Sequence, residues 1–305
     1  MSKVCWVWSV LGCGIGAMLL VGAAGVAGDG GDEQPTKAEP WLIDSAGKER
    51  KLLIYQFVAG FRALPWAVPE GQLVPIALEM RELDSTTFKD GVLTFLPLES
   101  VRLIQYDYQK ETLEVRVAGI EKPFVGSIRF RGINLVDIEA TVEVGKTGLA
   151  EARFRGGVEN GFREVHFPNA KPAGKLPDGP TVSIVIGGSG VKEKGPPVVG
   201  RNLRALYRLV GGKEIAQDFV LFKKDLPVKL RDLRSLVNAT PNIKAKGDCT
   251  FSVKLADGSE NPLTLLSATV FEKNRPATLL GLLIDIPGGY RLFPPHTIAS
   301  LTVGP

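Results

Sequence analysis

The sequence predicts a mainly β protein built from two antiparallel β-barrel or sandwich-like domains, with an internal duplication as a further expectation. Three observations predict this class. Stretches such as Thr112–Val117 and Asp137–Val144 alternate polar and apolar residues, the period of a strand with one wet face. No sustained helical spacing interrupts them. A unit of strand, proline-marked turn and strand occurs three times, at Gly91–Tyr106, Pro227–Leu236 and Gly289–Leu301.

Each unit carries apolar residues three apart: Leu98, Val101 and Ile104, then Leu230, Leu233 and Leu236, then Pro295, Ile298 and Leu301. That spacing suits one turn of 3₁₀ helix between strands, where positions i and i+3 eclipse. Proline at the entrance presets φ and has no N–H to leave unpaired. Small SH3-like and Sm-like barrels turn corners in this way, so each unit predicts a barrel corner. For the second unit, an amphipathic helix through Leu226, Leu230, Leu233 and Val237 fits the same residues equally well.

Residues 1–27 begin with Lys3 and then carry no charge, and their end is small and rich in Gly and Ala. This is the pattern of a secretory signal peptide cut after Ala27, with Gly25 and Ala27 at the −3 and −1 positions. Kept uncut, the same run would span a bilayer at about 20 residues, and membrane contact is expected only through it. Val10–Cys13 resembles a lipoprotein box, but the apolar run continues past Cys13. Residues 28–40 are polar and rich in Gly and Pro, the composition of a disordered tether. The expected localisation is therefore export, periplasmic or extracellular.

The body divides by composition into β domain 1 at 41–168, a Gly/Pro-rich linker with one strand at 169–200, and β domain 2 at 201–305. Trp41–Phe57 reads as two strands around Ser45–Lys48, and Leu206–Ile215 as a second hairpin. Gly47-Lys48-Glu49 and Gly212-Lys213-Glu214 coincide at the two turns, which motivates the duplication. Further strands are expected at Ala77–Arg81, Thr86–Phe88, Val125–Arg131, Ala150–Arg155 and Phe162–Phe167. Val182–Ile186 is the strand inside the linker. Phe219–Phe222, Phe251–Leu255, Leu263–Leu266 and Leu279–Ile286 complete the set. Asp257-Gly258 marks a hairpin turn, and Trp66 is a packing anchor in a proline-punctuated loop.

Catalytic chemistry has few candidates. After the signal segment only Cys249 remains, which forbids an intrachain disulfide and reads as a small buried hydrophobe. The only histidines are His166 and His296, and the latter falls in the turn of the third unit beside Glu99 and Arg231 of the other two. A position that accepts Glu, Arg and His reads as a solvated surface site. No H-E-x-x-H, paired cysteine or acidic calcium loop is present, so no metal, cofactor or catalytic residue is predicted. Gly187-Gly-Ser-Gly190 lacks the Gly-Lys-Ser/Thr ending of a phosphate loop and reads as a flexible turn. Without Lys3 the chain keeps 36 of its 37 basic residues against 33 acidic ones, a net of +3. That balance points away from nucleic acid.

Arg129-Phe-Arg-Gly132 and Arg153-Phe-Arg-Gly156 repeat an arginine motif. Arg129, Arg131, Arg153 and Arg155 are the predicted binding residues, a cationic face for an anionic polymer or a carboxylate-rich partner. The plainer reading is two strands with Phe in the core and Arg in water. Asp137, Glu139 and Glu143 lie on one strand face and raise a carboxylate-dependent hydrolase acting on an envelope polymer, which needs two carboxylates facing each other across a cleft.

The signal peptide, the Gly-Lys-Glu hairpins and the repeated corner unit resemble uncharacterised exported β-proteins of planctomycete-type bacteria. The resemblance spreads over about half of the chain and carries no assigned activity. The third unit departs from it, with Pro295 for Leu and Ala299 for Arg, which favours packing over a shared ligand role for Arg102 and Arg234. The function expected is an exported, non-enzymatic binding or structural module of the cell envelope, with an unknown protein or surface polymer as partner.

Overall fold

The computed structural model describes residues 39–69, 71–81, 91–128, 134–145, 148–158, 161–187, 196–223, 226–239, 248–271 and 275–304. The expected signal segment, most of the expected tether, Thr86–Phe88 and Gly188–Gly190 therefore lie outside the described residues. The structure is mainly β, and every strand pairing in it is antiparallel. No described helix is long and apolar enough to cross a membrane.

The first hairpin is β1 (Trp41–Ile43) and β2 (Glu49–Lys51). Its turn holds Gly47 at a φ of +78°, where a side chain would be strained, and the Asp44 carboxylate accepts the N–H groups of Ala46 and Lys48. β3 (Ile54–Ala59) and β4 (Phe61–Ala63) follow, then a 3₁₀ turn at Pro65–Ala67 that buries Trp66. β5 (Ile76–Arg81), β6 (Leu93–Pro97), β7 (Val101–Asp107), β8 (Thr112–Val117) and β9 (Phe124–Ser127) come next. β10 (Asp137–Val144) and β11 (Gly148–Arg155) form a hairpin, and β12 (Glu164–His166) returns to β1 and β7.

Beyond β13 (Val182–Ile186), β14 (Val198–Leu209) is long and bends where Asn202 takes a φ of +54°. β15 (Glu214–Gln217), β16 (Phe219–Phe222), β17 (Leu226–Lys229), β18 (Leu233–Asn238), β19 (Cys249–Leu255) and β20 (Glu260–Leu265) follow. β21 (Ala268–Phe271), β22 (Arg275–Ile286), β23 (Gly289–Phe293) and β24 (Ile298–Val303) end the chain. The Asp257-Gly258 turn joins β19 to β20, with the Asp257 carboxylate accepting the Ser259 N–H at 2.8 Å.

All three repeated units fold alike. One 3₁₀ turn (Leu98–Ser100, Leu230–Asp232 or Pro295–Thr297) joins β6 to β7, β17 to β18 and β23 to β24. In each, the residue after the turn donates its N–H to the carbonyl of the turn's first residue. The second and third apolar positions are fully buried in all three, because the strand shifts register just after the turn, between Val101 and Leu103, Leu233 and Ser235, and Ile298 and Ser300, which brings positions three apart onto one face. The helix alternative fails at the second unit, where Leu226 and Val237 are exposed while Leu230 and Leu233 are buried.

Six strands form one sheet in the order β2-β1-β12-β7-β8-β9, and three form another, β11-β10-β3. The rest follow one path, β17-β16-β20-β19-β18-β24-β13-β14-β22-β23-β6-β5-β4, with β15 beside β14 and β21 beside β22. Strands from both sides of residues 169–200 share this path, since β6 pairs with β23 through Phe95 and Tyr290. The pairing needs Gly289, where a Cβ would stand 2.2 Å from the Phe95 carbonyl oxygen. β13 pairs on both sides, with β14 and β24. The two hairpins that share Gly-Lys-Glu sit differently: Glu49 is exposed at a sheet end, whereas Glu214 is buried. The architecture is sandwich-like, and among the described residues no sheet closes into a barrel.

Candidate functional site

Of the predicted binding arginines, Arg129 and Arg131 lie outside the described residues. Arg153 and Arg155 stand on β11 opposite Glu139 and Asp137 of β10. Arg153 Nη2 donates to Asp137 Oδ2 at 2.7 Å, and Arg155 Nε donates to Asp137 Oδ1 at 3.1 Å. The Asp137 hydrogen bond raises the Arg153 pKa above its ordinary value. Gln56 on β3 donates to Glu139 at 2.7 Å. Gln56, Glu139 and Arg153 border a groove of about 410 Å³ that crosses β3, β10 and β11 and also carries Glu151. Of the carboxylates considered for hydrolysis, Asp137 is clamped by two arginines, Glu139 is held by Gln56, and Glu143 is exposed near the end of β10. Phe154 packs on the core beneath, as alternation requires.

A second arrangement involves residues from both halves of the chain. β15, β14, β22, β23, β6, β5 and β4 follow one another as neighbours. Alternate residues along them share one face, and there Leu64, Ala77, Phe95, Leu206, Leu283 and Leu292 pack as a core of their own. Trp66 completes this core, edge-on to Phe95 at 5.7 Å and to Tyr290 at 5.2 Å. The run rolls up on this core. Its end strands β4 and β15 are bridged by Arg62 and Glu214, and the Trp66 turn packs against β15.

At one mouth of the rolled sheet the same face turns polar. Arg62 donates to Glu79 at 3.3 Å and to Glu214. Arg208 donates to the same Glu214 oxygen through Nη2 at 2.9 Å and Nε at 3.2 Å. Arg81 lies 3.5 Å from Glu79. The result is an alternating chain, Arg81–Glu79–Arg62–Glu214–Arg208. Glu214 is only 6% exposed and Arg208 is half exposed, so the chain runs from the interior to the surface. The Arg62 guanidinium also lies over the Phe95 ring, 5.5 Å from its centroid. A cavity of about 470 Å³ opens here, bordered by the three arginines, floored by Leu93, Leu280 and Leu292, and rimmed by His296.

The opposite end of the roll carries an ion pair of its own. Arg204 pairs with Asp285, which also accepts from Asn202 at 3.0 Å, and the Arg204 guanidinium lies 5.8 Å from the ring centroids of both Trp66 and Tyr290. Trp66 Nε1 and Arg204 Nε are buried there without a hydrogen-bond partner.

The remaining candidates are quiet. The His166 ring stacks on Trp41 at 3.7 Å with Nε2 2.9 Å from Glu164. Cys249 is buried, and burial together with the Asp248 charge pushes its thiol pKa up. Among the described residues no group of His, Cys, Asp and Glu is placed to hold a metal ion.

Sequence reasoning missed Arg62, Glu79, Arg81, Arg208 and Glu214. Their alternation along β5 and β14 is visible, but a solvated strand face has the same pattern. What makes them a site is the meeting of Arg62 with Glu214, 152 residues apart. Comparison with known proteins returned no matching family model, no similar curated protein and no similar solved structure.

Proposed function

We propose that the chain is an exported, non-enzymatic binding module of the cell envelope, and that it holds an anionic group of a surface polymer in the arginine-bordered mouth of the rolled sheet. The observation that carries this reading is the half-exposed guanidinium of Arg208, held on Glu214 at the border of a cavity with an apolar floor. A guanidinium matches the planar geometry of a carboxylate and also serves sulfate or phosphate. An apolar floor lowers the local dielectric and strengthens such a contact. Arg208 is the natural recognition residue, because it reaches solvent while its Nε and Nη2 are fixed on Glu214. Export rests on the signal-like composition of residues 1–27.

The test is retention of the mature chain on immobilised carboxylated, sulfated and neutral polysaccharides. The expected result is retention on an anionic polymer that weakens with salt and is lost in Arg208→Ala. Equal retention on neutral polymer, or an Arg208→Ala variant that binds like the parent, sinks the proposal. If retention comes only from acidic peptides added as competitors, a protein is the partner instead.

A further inference from the structure

We infer that β11 is a self-association edge: it pairs antiparallel with β11 of a second copy of this chain, Glu151 of each lying opposite Arg153 of the other. The observation comes from the three-stranded sheet and is independent of the mouth. Among the described residues β11 is the terminal strand of that sheet, with only β10 beside it. It runs for eight residues without proline or lysine, and Gly148–Glu151 are all exposed. Two of the other sheet ends carry guards of this kind: β2 is Glu49-Arg50-Lys51, and β17 contains Pro227. A long open edge of this kind is a template for one more strand.

The hydrogen-bond parity decides which backbone groups are on offer. Gly156 donates its N–H to the Val136 carbonyl, and Arg155 stands opposite Asp137 in the same register. In an antiparallel pair both backbone groups of a residue point to the same side, and the side alternates along the strand. Even-numbered residues of β11 therefore face β10, and Leu149, Glu151, Arg153 and Arg155 turn their backbone groups to the open edge. The Arg155 carbonyl is taken by the Phe162 N–H at 3.1 Å. The groups left to a partner belong to Leu149, Glu151 and Arg153.

A two-fold pairing of these residues has few registers. Centred on Glu151 it sets two carboxylates opposite each other, and centred on Arg153 it sets two arginines opposite each other. Either is unfavourable. Centred on Ala150 it leaves Glu151 facing Leu149. Centred on Ala152 it sets Glu151 opposite Arg153 twice, with both backbone bonds formed in each row. Within its own sheet Glu151 faces Thr141 and has no ion pair among the described residues, so the second copy supplies the cation. Arg153 keeps its bond to Asp137 through Nη2. The product is a continuous sheet, β3-β10-β11 joined to the same three strands of the second copy. Edge pairing alone buries little surface, so the dimer is a weak, salt-sensitive one.

The test is sedimentation velocity of the mature chain across the micromolar range, with oxidative crosslinking of Ala152→Cys. At the two-fold axis the two 152 positions form a non-hydrogen-bonded pair with Cα atoms about 4.5 Å apart, within disulfide reach. The buried Cys249 stays silent. We expect a dimer that dissociates as salt rises, a disulfide dimer from Ala152→Cys and none from Leu149→Cys. Glu151→Pro should be monomeric, since it removes an edge N–H while leaving the β10 side intact. Glu151→Arg should be monomeric too. A parent chain that is monomeric throughout overturns the inference. So does a dimer that survives Glu151→Pro, or one in which Ala152→Cys never crosslinks.

Discussion

Glu214 and Asp137 are each held by two arginines, and each is about 6% exposed. Their surroundings differ. Glu214 joins Arg62 from β4 to Arg208 from β14 inside the mouth of the rolled sheet, and Arg62 is itself only 23% exposed. Asp137 joins Arg153 and Arg155 of the adjacent strand, and both are about half in water. The same triad of charges thus closes a cavity in one place and trims a surface in the other. What separates the two roles is the dielectric around the cations and the distance along the chain between partners.

The largest expected effect follows from Glu214. Glu214→Ala leaves Arg62 under-compensated in the roll, and urea unfolding should show a loss of about 3–5 kcal/mol. Asp137→Ala releases its arginines into water and should lose only about 1–2 kcal/mol. Equal losses would break the comparison. Arg208→Ala comes next, with a stability change within about 1 kcal/mol because the side chain is half exposed, yet with polymer retention abolished. A large loss of stability would make Arg208 a structural strut.

Alkali sharpens the contrast least. Burial raises the pKa of Tyr207, beside Arg208 on β14, to about 12. Burial also raises Tyr106 well above the ordinary phenol range, the Tyr108 and Asp137 charges adding to it. The unfolded chain titrates near 10. A raised pKa means that the folded chain keeps protons the unfolded one has lost, so this stability is complete below about pH 10 and falls as the pH rises through the folded value. Phenolate absorbance of the native chain should therefore lag that of the urea-denatured chain. Superimposed curves would mean that neither tyrosine is shielded.

How far the sequence discloses this molecule depends on range. Alternation over six to eight residues locates β8 and β10 end to end, and a spacing of three locates all three corners, because both signals lie within one local segment. β14 is half hidden, since Val198–Leu203 follow a Gly/Pro-rich stretch and bend at Asn202. The Asp137 clamp is foreshadowed by Arg153-Phe-Arg155, which lies on the very next strand. The Glu214 clamp is not, because nothing near Arg62 or Glu214 in the chain reveals that a rolled sheet brings them together. The signal-like segment is read from sequence alone.

The pairing of β6 with β23 has a consequence on the time axis. Thr94 and Arg291 touch across 197 residues, so the rolled sheet is completed by residues made long after β6. Contacts of such long sequence separation form slowly, because the loop-closure entropy must be met before any stabilising contact is gained. A nascent chain therefore carries β5 and β6 with one edge open until β23 appears. During that interval it is exposed to wrong partners, and its folding rate should be set by that single closure.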